Sequence, residues 1–357
     1  MAKTYNSFLG ANSPRGFVSF FDELYNPYGC SRAFIIKGGP GTGKSTLMKK
    51  AGRYFESKNY DVEYVCCASD PDSLDAVIVP EFDICFVDGT SPHIVEPAFP
   101  GAVENIINTG DFWKSDKLRK NADEIRRLTL ENSIYHRRSA GYLSAAGKIN
   151  EDNLRLSDKY IDRNKIDGFA LRFVARELPD KKEGRPGKRK KRFISAITPQ
   201  GLVFIDGTVT TLATRIIGID DEYTAVGSLV ADRIGELAIR NGYDVIFCHC
   251  PFKPEMPCEH IIIPEVRLAL VTVKSAHKTN IAFDRLIHAR RFLHEEISRC
   301  SISLRFNRRL IKEMTAEAVE ALINAKKTHD KLEKIYAEAM DFEGLEEYCE
   351  KLIKNII

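Results

Sequence analysis

The residues best suited to chemistry form one glycine-rich segment near the N-terminus. They read Gly38-Gly39-Pro40-Gly41-Thr42-Gly43-Lys44-Ser45 and match the pattern G-x-x-x-x-G-K-[ST]. In such a segment the glycines let backbone N–H groups approach phosphate oxygens, the lysine reaches the terminal phosphates, and the hydroxyl group faces Mg²⁺. We therefore predict that this segment binds a nucleotide with Mg²⁺, and that Thr46 extends the site into the first helical turn.

The flanking residues predict the elements that position this loop. The apolar run 33–36 predicts a strand that leads in, and residues 47–55 predict a helix that leads out. That order aims the partial positive charge of the helix N-terminus at the phosphates. No Asn-Lys-x-Asp motif for reading guanine is present, which favours ATP.

A second apolar run, Ile84–Asp88, predicts a buried strand that ends in a carboxylate. We expect Asp88 to lie beside the loop and to hold Mg²⁺ through water, together with Ser45. The alternative is an aspartate that only caps the turn before Gly89, and the loop upstream favours the metal role. Gly89 stands where many nucleotide hydrolases carry a glutamate that orients water, so hydrolysis and phosphoryl transfer both stay open.

His93 completes the candidate catalytic set with Lys44 and Asp88. It follows the same strand end, where open α/β sheets collect ligand contacts. A structural role is favoured over a catalytic one, because His277 recurs at the matching position of the second half. Asp70 and Asp72 also follow a predicted strand, and we favour an N-cap ahead of Leu74 over a binding role for them.

The sequence contains an internal repeat. Residues 8–18 match residues 193–203, and residues 79–87 match residues 263–271. The repeat predicts an α/β fold of two tandem three-layer units with mostly parallel sheets, each carrying a long helical tail over 113–178 and 282–357. We expect domains at 1–178 and 193–357. The helical tails, which would form arms, are candidate contacts for a protein partner.

A charged segment rich in proline and glycine, residues 179–192, is predicted to be the domain linker. Its run Lys188–Arg192 is the candidate contact for a nucleic acid, although a solvated linker is favoured because no aromatic side chains interleave it. In the second half, residues 219–226 stand where the first half has its loop, with three acidic side chains and no lysine. Thr272 stands where the first half has Asp88. We therefore expect one active and one degenerate nucleotide site.

Bulk properties exclude several classes of protein. The chain has 357 residues and a formal net charge of only +3, so no overall field marks a nucleic-acid or membrane binder. No apolar run approaches the roughly 18 residues of a membrane span. Nine cysteines in mostly apolar runs are expected to be reduced thiols of a cytoplasmic protein. Zinc ligation by Cys248, His249 and Cys250 is the alternative to buried thiols there, and it is disfavoured by the spacing.

Three segments carry a resemblance to a known family. They are 13–16 (Ser-Pro-Arg-Gly), 88–93 (Asp-Gly-Thr-Ser-Pro-His) and 196–201 (Ala-Ile-Thr-Pro-Gln-Gly). With the glycine-rich loop, they make the chain resemble the P-loop NTPases and, over nearly its whole length, an uncharacterised bacterial family of tandem P-loop ATPases. The resemblance implies ATP and Mg²⁺ at residues 38–46 and Asp88. The second half departs from the two intact loops of many members, which puts a two-site ATPase cycle in doubt.

These observations leave two main hypotheses. The first is a Mg²⁺-dependent ATPase or kinase-like phosphotransferase, and the second is a nucleotide-dependent switch that does not hydrolyse and that repositions the helical arms.

Overall fold

The computed structural model describes residues 2–24, 31–179, 181, 184–221, 226–274 and 279–356. Elements of the first repeat are β1 (Thr4–Ser7), β2 (Gly10–Ser13), β3 (Gly16–Ser19), α1 (Phe21–Leu24), β4 (Arg32–Lys37), α2 (Lys44–Ser57), β5 (Val62–Cys66), β6 (Leu74–Val79), β7 (Ile84–Asp88), β8 (Glu104–Asn108), α3 (Ser115–Lys120), α4 (Ala122–Asp158) and α5 (Arg163–Glu177). Those of the second are β9 (Arg189–Arg192), β10 (Ser195–Thr198), β11 (Gly201–Phe204), α6 (Asp206–Leu212), β12 (Arg215–Asp220), α7 (Val226–Arg240), β13 (Val245–Cys248), β14 (His260–Ile263), β15 (Leu268–Val273), β16 (Arg285–His288), α8 (Ser301–Ala337) and α9 (Phe342–Lys354).

The two repeats build sheets of the same topology. The first sheet has the order β1-β5-β6-β7-β4-β8, and the second has β9-β13-β14-β15-β12-β16. In each sheet five strands run parallel and one, β6 or β14, runs antiparallel to both of its neighbours. The predicted mixed α/β fold with an internal repeat and mostly parallel sheets is confirmed.

Strand β7 pairs directly with β4, the strand that leads into the glycine-rich loop. The register places Asp88 opposite Ile36. The last residue of β7 therefore lies on the strand next to β4, close to the start of the loop. Sequence left open whether these strands are neighbours, because strand order depends on crossovers that a local pattern does not encode.

The compact units of the chain do not coincide with the predicted halves. Unit 1 comprises residues 1–10, 19–139 and 319–357, and unit 2 comprises residues 11–18 and 140–318. Helix α9 packs into the core over the first sheet, and α5 packs into the core over the second. Each helical tail therefore ends on the sheet of the other repeat, and the boundary predicted at 179–192 separates the repeats in sequence but not the compact units.

The basic run forms a strand and not the predicted linker. Arg189–Arg192 form β9, an edge strand that pairs in parallel with β13. The Arg189 guanidinium group lies over the Phe247 ring and forms an ion pair with Glu236, and Arg192 is buried. Two cations of the run therefore serve the fold of unit 2.

Both faces of the first sheet are buried, as the alternating side chains of β4 illustrate. Phe34 and Ile36 pack with α2 and α9, and Ala33 and Ile35 pack with Phe21 and Leu24 on the opposite face. Period-two alternation in a strand covered on both sides explains why the run at 33–36 is apolar throughout. Among the described helices, none combines the length and the apolar composition that crossing a membrane requires.

A glycine in α7 marks how closely that helix packs on its sheet. A Cβ atom at Gly235 would lie 2.6 Å from the ring of Phe247, which is fully buried. We predict that Gly235→Ala lowers the free energy of unfolding by about 1–3 kcal/mol through overpacking. Gly141→Ala is the matched control, because a Cβ there meets nothing within 4 Å and alanine favours the helix by about 0.5–1 kcal/mol. Thermal melts that rank the two variants in the opposite order would contradict this packing.

Candidate functional site

The glycine-rich loop joins the end of β4 to the start of α2 in unit 1. Gly43, the residue before α2, has a φ angle of 84°, and Gly41 has a φ angle of 66°. These left-handed conformations favour glycine and turn the chain from the strand into the helix. No side chain caps the N-terminus of α2, and its first turn contains no acidic residue. The first N–H groups of the helix thus offer donors and partial positive charge to an anion.

The Lys44 side chain folds back over the loop. Its ammonium group donates hydrogen bonds to the carbonyl oxygens of Gly39 at 2.7 Å and Gly38 at 3.3 Å. Its Nζ atom lies 3.7 Å from Oδ2 of Asp88. The lysine and the strand-end aspartate that sequence singled out are therefore neighbours in the structure.

Ser45 and Asp88 already hold hydrogen bonds that orient them. The Ser45 hydroxyl oxygen accepts from the Leu74 backbone N–H at 3.0 Å. Oδ1 of Asp88 accepts from the backbone N–H of Thr90 at 2.9 Å and from its hydroxyl group at 2.5 Å. Oδ2 of Asp88, on the Lys44 side, is left to face the loop. Thr46 is exposed on the next helical position.

Thr109, the residue directly after strand β8, contacts the loop, and sequence did not single it out. Its hydroxyl group lies within hydrogen-bond distance of the Lys37 carbonyl oxygen at 3.0 Å and of the Thr42 hydroxyl oxygen at 2.9 Å. A Cβ atom at Gly38 would lie 1.9 Å from Oγ1 of Thr109, so the first glycine is required by packing as well as by any ligand. Thr42 in turn donates to the Gly39 carbonyl at 2.8 Å.

The C-terminal part of α8 covers the loop. A Cβ atom at Gly41 would lie 2.5 Å from the Glu333 carbonyl oxygen, and one at Gly39 would lie 2.7 Å from the Tyr336 ring. Further along the same rim, Nζ of Lys326 lies 3.5 Å from Oδ2 of Asp70. Sequence placed α8 in a tail of the second half and gave no signal for this contact.

Asp70 and Asp72 do not precede a helix. Leu74 begins strand β6, so the N-cap interpretation is wrong. Asp70 accepts a hydrogen bond from the Ser73 hydroxyl group at 2.8 Å and thereby holds the turn that leads into the antiparallel strand. A short polar cluster before an apolar run fits an Asx-type turn as well as a helix cap, which is why the sequence pattern misled.

His93 is buried in unit 1 and paired with a carboxylate that sequence missed. Its Nε2 atom lies 3.2 Å from Oδ2 of Asp75, and its ring lies 4.5 Å from the Phe21 ring. Burial raises the pKa of Asp75, and the hydrogen bond with His93 opposes that effect only in part. The Cys67 thiol completes the group, and burial raises its pKa well above the usual range.

In unit 2 a carboxylate of the chain lies at the helix N-terminus that corresponds to the start of α2. The strand registers and helix bounds align Gly38 with Asp221, Lys44 with Gly227 and Ser45 with Ser228, two residues later than sequence suggested. Oδ2 of the buried Asp221 accepts from the Gly227 backbone N–H at 2.9 Å, in the first turn of α7. An internal carboxylate thus occupies the N-terminus of α7. Residues 222–225, part of the predicted degenerate loop, and His277 lie outside the described residues.

A buried lysine also enters the unit 2 site. The Lys253 ammonium group donates to the Ser228 hydroxyl oxygen at 2.7 Å, and burial lowers the pKa of Lys253. The Asp221 carboxylate and the Lys253 ammonium group thus contact Gly227 and Ser228, the residues that correspond to Lys44 and Ser45 of unit 1.

The Cys248-His249-Cys250 segment forms no metal cluster within the part of the chain that the structure describes. Three-ligand groups there are Cys67–Asp75–His93 and His329–Asp330–Glu333, both in unit 1. Cys248, Cys250 and Cys258 are buried thiols, as the sequence interpretation favoured. Comparison of the chain with models of protein families, with curated proteins and with solved structures gives no match.

The carboxylate at the N-terminus of α7 yields a prediction for stability. We expect Asp221→Ala to lower the free energy of unfolding by about 1–3 kcal/mol, because the buried Gly227 N–H loses its acceptor. Asp220→Ala is the matched control: Asp220 is exposed and pairs with His288 at the surface, so a change within about 0.5 kcal/mol is expected. Denaturant unfolding measures both, and equal effects would contradict the capping role of Asp221.

Proposed function

We propose that unit 1 binds ATP with Mg²⁺ at residues 38–46 and Asp88, and that it acts as an ATPase or a kinase-like phosphotransferase. The uncapped N-terminus of α2, with Lys44 and Asp88 at its side, supports this function most. Helix donors, a lysine and a strand-end carboxylate within one small volume are the groups that phosphoryl-transfer sites use.

The residues present fit a Mg²⁺–nucleotide. Mg²⁺ prefers oxygen ligands and keeps several waters, and the Ser45 hydroxyl group and Oδ2 of Asp88 are the oxygen donors that would hold it. A Cβ atom at Gly38, Gly41 or Gly43 would lie 1.9, 2.5 or 2.9 Å from an atom of Thr109, Glu333 or Leu345, respectively, so packing of the loop requires glycine at all three positions. When bound, Mg²⁺ would neutralise part of the negative charge of the phosphates.

Each side chain of the site has a role in this proposal. Lys44 exchanges its two carbonyl acceptors, Gly38 and Gly39, for phosphate oxygens, because charged acceptors give stronger hydrogen bonds than neutral ones. Thr90 holds the Asp88 carboxylate in place through two hydrogen bonds. Thr109 and Thr42 fix the loop conformation before any ligand arrives, which lowers the entropy that binding costs.

The same reasoning assigns no nucleotide to unit 2. Asp221 already satisfies a helix N–H group that phosphate would need, and its negative charge repels a triphosphate. Lys253 is engaged with Ser228. One active and one degenerate site per chain is therefore part of the proposal.

The contact between α8 and the loop favours a second function, a nucleotide-dependent switch. The Glu333 backbone lies against Gly41, and Tyr336 lies against Gly39. A triphosphate on the loop would therefore meet α8 directly, and α8 is one of the arms suggested for a protein partner. Binding without turnover, with altered hydrogen exchange in residues 326–337, would favour the switch over the enzyme.

Nucleotide binding is tested with a fluorescent ATP analogue and Mg²⁺, with phosphate release measured in parallel. Lys44→Ala and Asp88→Asn are each expected to weaken binding about 10- to 100-fold, because each removes a charged contact to the Mg²⁺–nucleotide. Lys50→Ala is the matched control, because Lys50 lies on the same helix and pairs with Glu346 at the surface. We expect it to bind like the wild type.

Two results would contradict the proposal. One is the absence of binding by the wild-type chain, and the other is equal binding by Lys44→Ala and Lys50→Ala.

A further inference from the structure

A thiol, a carboxylate and an imidazole lie close together at the ends of three inner strands of the first sheet. Sγ of Cys67, a carboxylate oxygen of Asp75 and a ring nitrogen of His93 all lie within 4.8 Å of one another. They come from three adjacent strands: Cys67 directly follows β5, Asp75 lies in β6, and His93 follows β7. Sequence separates them by up to 26 residues, so only the sheet order brings them together.

The backbone and one aromatic ring hold these groups in place. The Cys67 N–H donates to the Ser73 carbonyl at 3.0 Å, and the His93 N–H donates to the Thr90 carbonyl at 2.8 Å. Phe21 packs on the His93 ring, and Asp75 and His93 are only 3% and 7% exposed. The three side chains are therefore held in place before any ligand enters, as a selective site requires.

In unit 2 the corresponding position of the fold is occupied by the ammonium group of a lysine. The strand registers align Asp75 with Glu259 and Thr90 with Lys274. The partly buried Lys274 ammonium group forms an ion pair with the buried Glu259 carboxylate. In unit 1 the residue aligned with Lys274 is Thr90, whose hydroxyl group donates to Asp88, so Asp75 has no counterpart of this lysine at that position. A buried carboxylate is stable when a cation accompanies it.

We propose that Cys67, Asp75 and His93 form a binding site for one zinc-class divalent ion. Thiolate and imidazole ligands select borderline-soft metals such as Zn²⁺ and Co²⁺ over Mg²⁺, which prefers oxygen alone. Three protein ligands leave a fourth position for water or substrate. On binding, the thiol gives up its proton to solvent as the metal–sulfur bond forms. This site is separate from the proposed nucleotide site and does not depend on it.

The test is a titration of the reduced, untagged full chain with Co²⁺ under anaerobic conditions. A cobalt–thiolate bond gives a charge-transfer absorption band that His329, Asp330 and Glu333, the other cluster, cannot produce because they offer no sulfur. We expect a band that saturates at one Co²⁺ per chain and that one equivalent of Zn²⁺ abolishes. No band, or one that saturates only far above one equivalent, would overturn the proposal.

Two neighbouring cysteines supply the matched variants. Cys67→Ser should remove the band, and Asp75→Asn should weaken Co²⁺ binding at least tenfold. Cys66→Ser should keep the wild-type band, because successive residues of a strand face opposite sides and Cys66 packs against the apolar core. Retention of the full band in Cys67→Ser would overturn the assignment.

A thermal measurement guards against variants that fail to fold. Zn²⁺ is expected to raise the melting temperature of the wild type and of Cys66→Ser, and not that of a folded Cys67→Ser or His93→Gln. A Zn²⁺ effect of equal size in all four chains would contradict binding at this cluster.

Discussion

The N-terminus of a buried helix must find a partner for its first N–H groups, and this constraint shapes both repeats. In unit 2 the chain supplies the partner itself, since the Asp221 carboxylate accepts from α7. In unit 1 the corresponding residue is Gly38, and α2 has neither a capping side chain nor an acidic residue in its first turn. The same fold thus carries one helix end that a carboxylate of the chain caps and one that no side chain caps, and the second is where we propose that a nucleotide binds.

The elements around α2 hold the loop before it in place. Strand β7 lies beside β4 and brings Asp88 to the loop, while β8 brings Thr109 to its other side. Helices α8 and α9 pack on the loop from above, and the exchange of helical tails between the repeats makes this cover possible. The second repeat therefore contributes to the candidate site of the first, while its own helix α7 is capped by the Asp221 carboxylate.

Sequence predicted the parts of the site that depend on local chemistry. The loop, the strand that enters it, the helix that leaves it and the strand-end Asp88 each follow from short patterns, and the repeat follows from self-similarity. Thr109, Glu333 and Asp75 were missed because they reach their places through strand order and tail exchange, which no local pattern encodes. The polar turn before Leu74 was misassigned because the same residues cap helices and hold turns. The charged segment 179–192 has the composition of a linker, yet its last four residues form the edge strand β9, because edge strands also carry charge.

The stoichiometry of nucleotide binding tests the central claim most directly. Equilibrium dialysis of the wild-type chain against ATP and Mg²⁺ counts the sites without assuming any turnover. We expect one ATP per chain, held by unit 1 alone. Two ATP per chain would show that the Asp221 carboxylate does not exclude nucleotide from unit 2, and none would contradict the assignment of a nucleotide to unit 1.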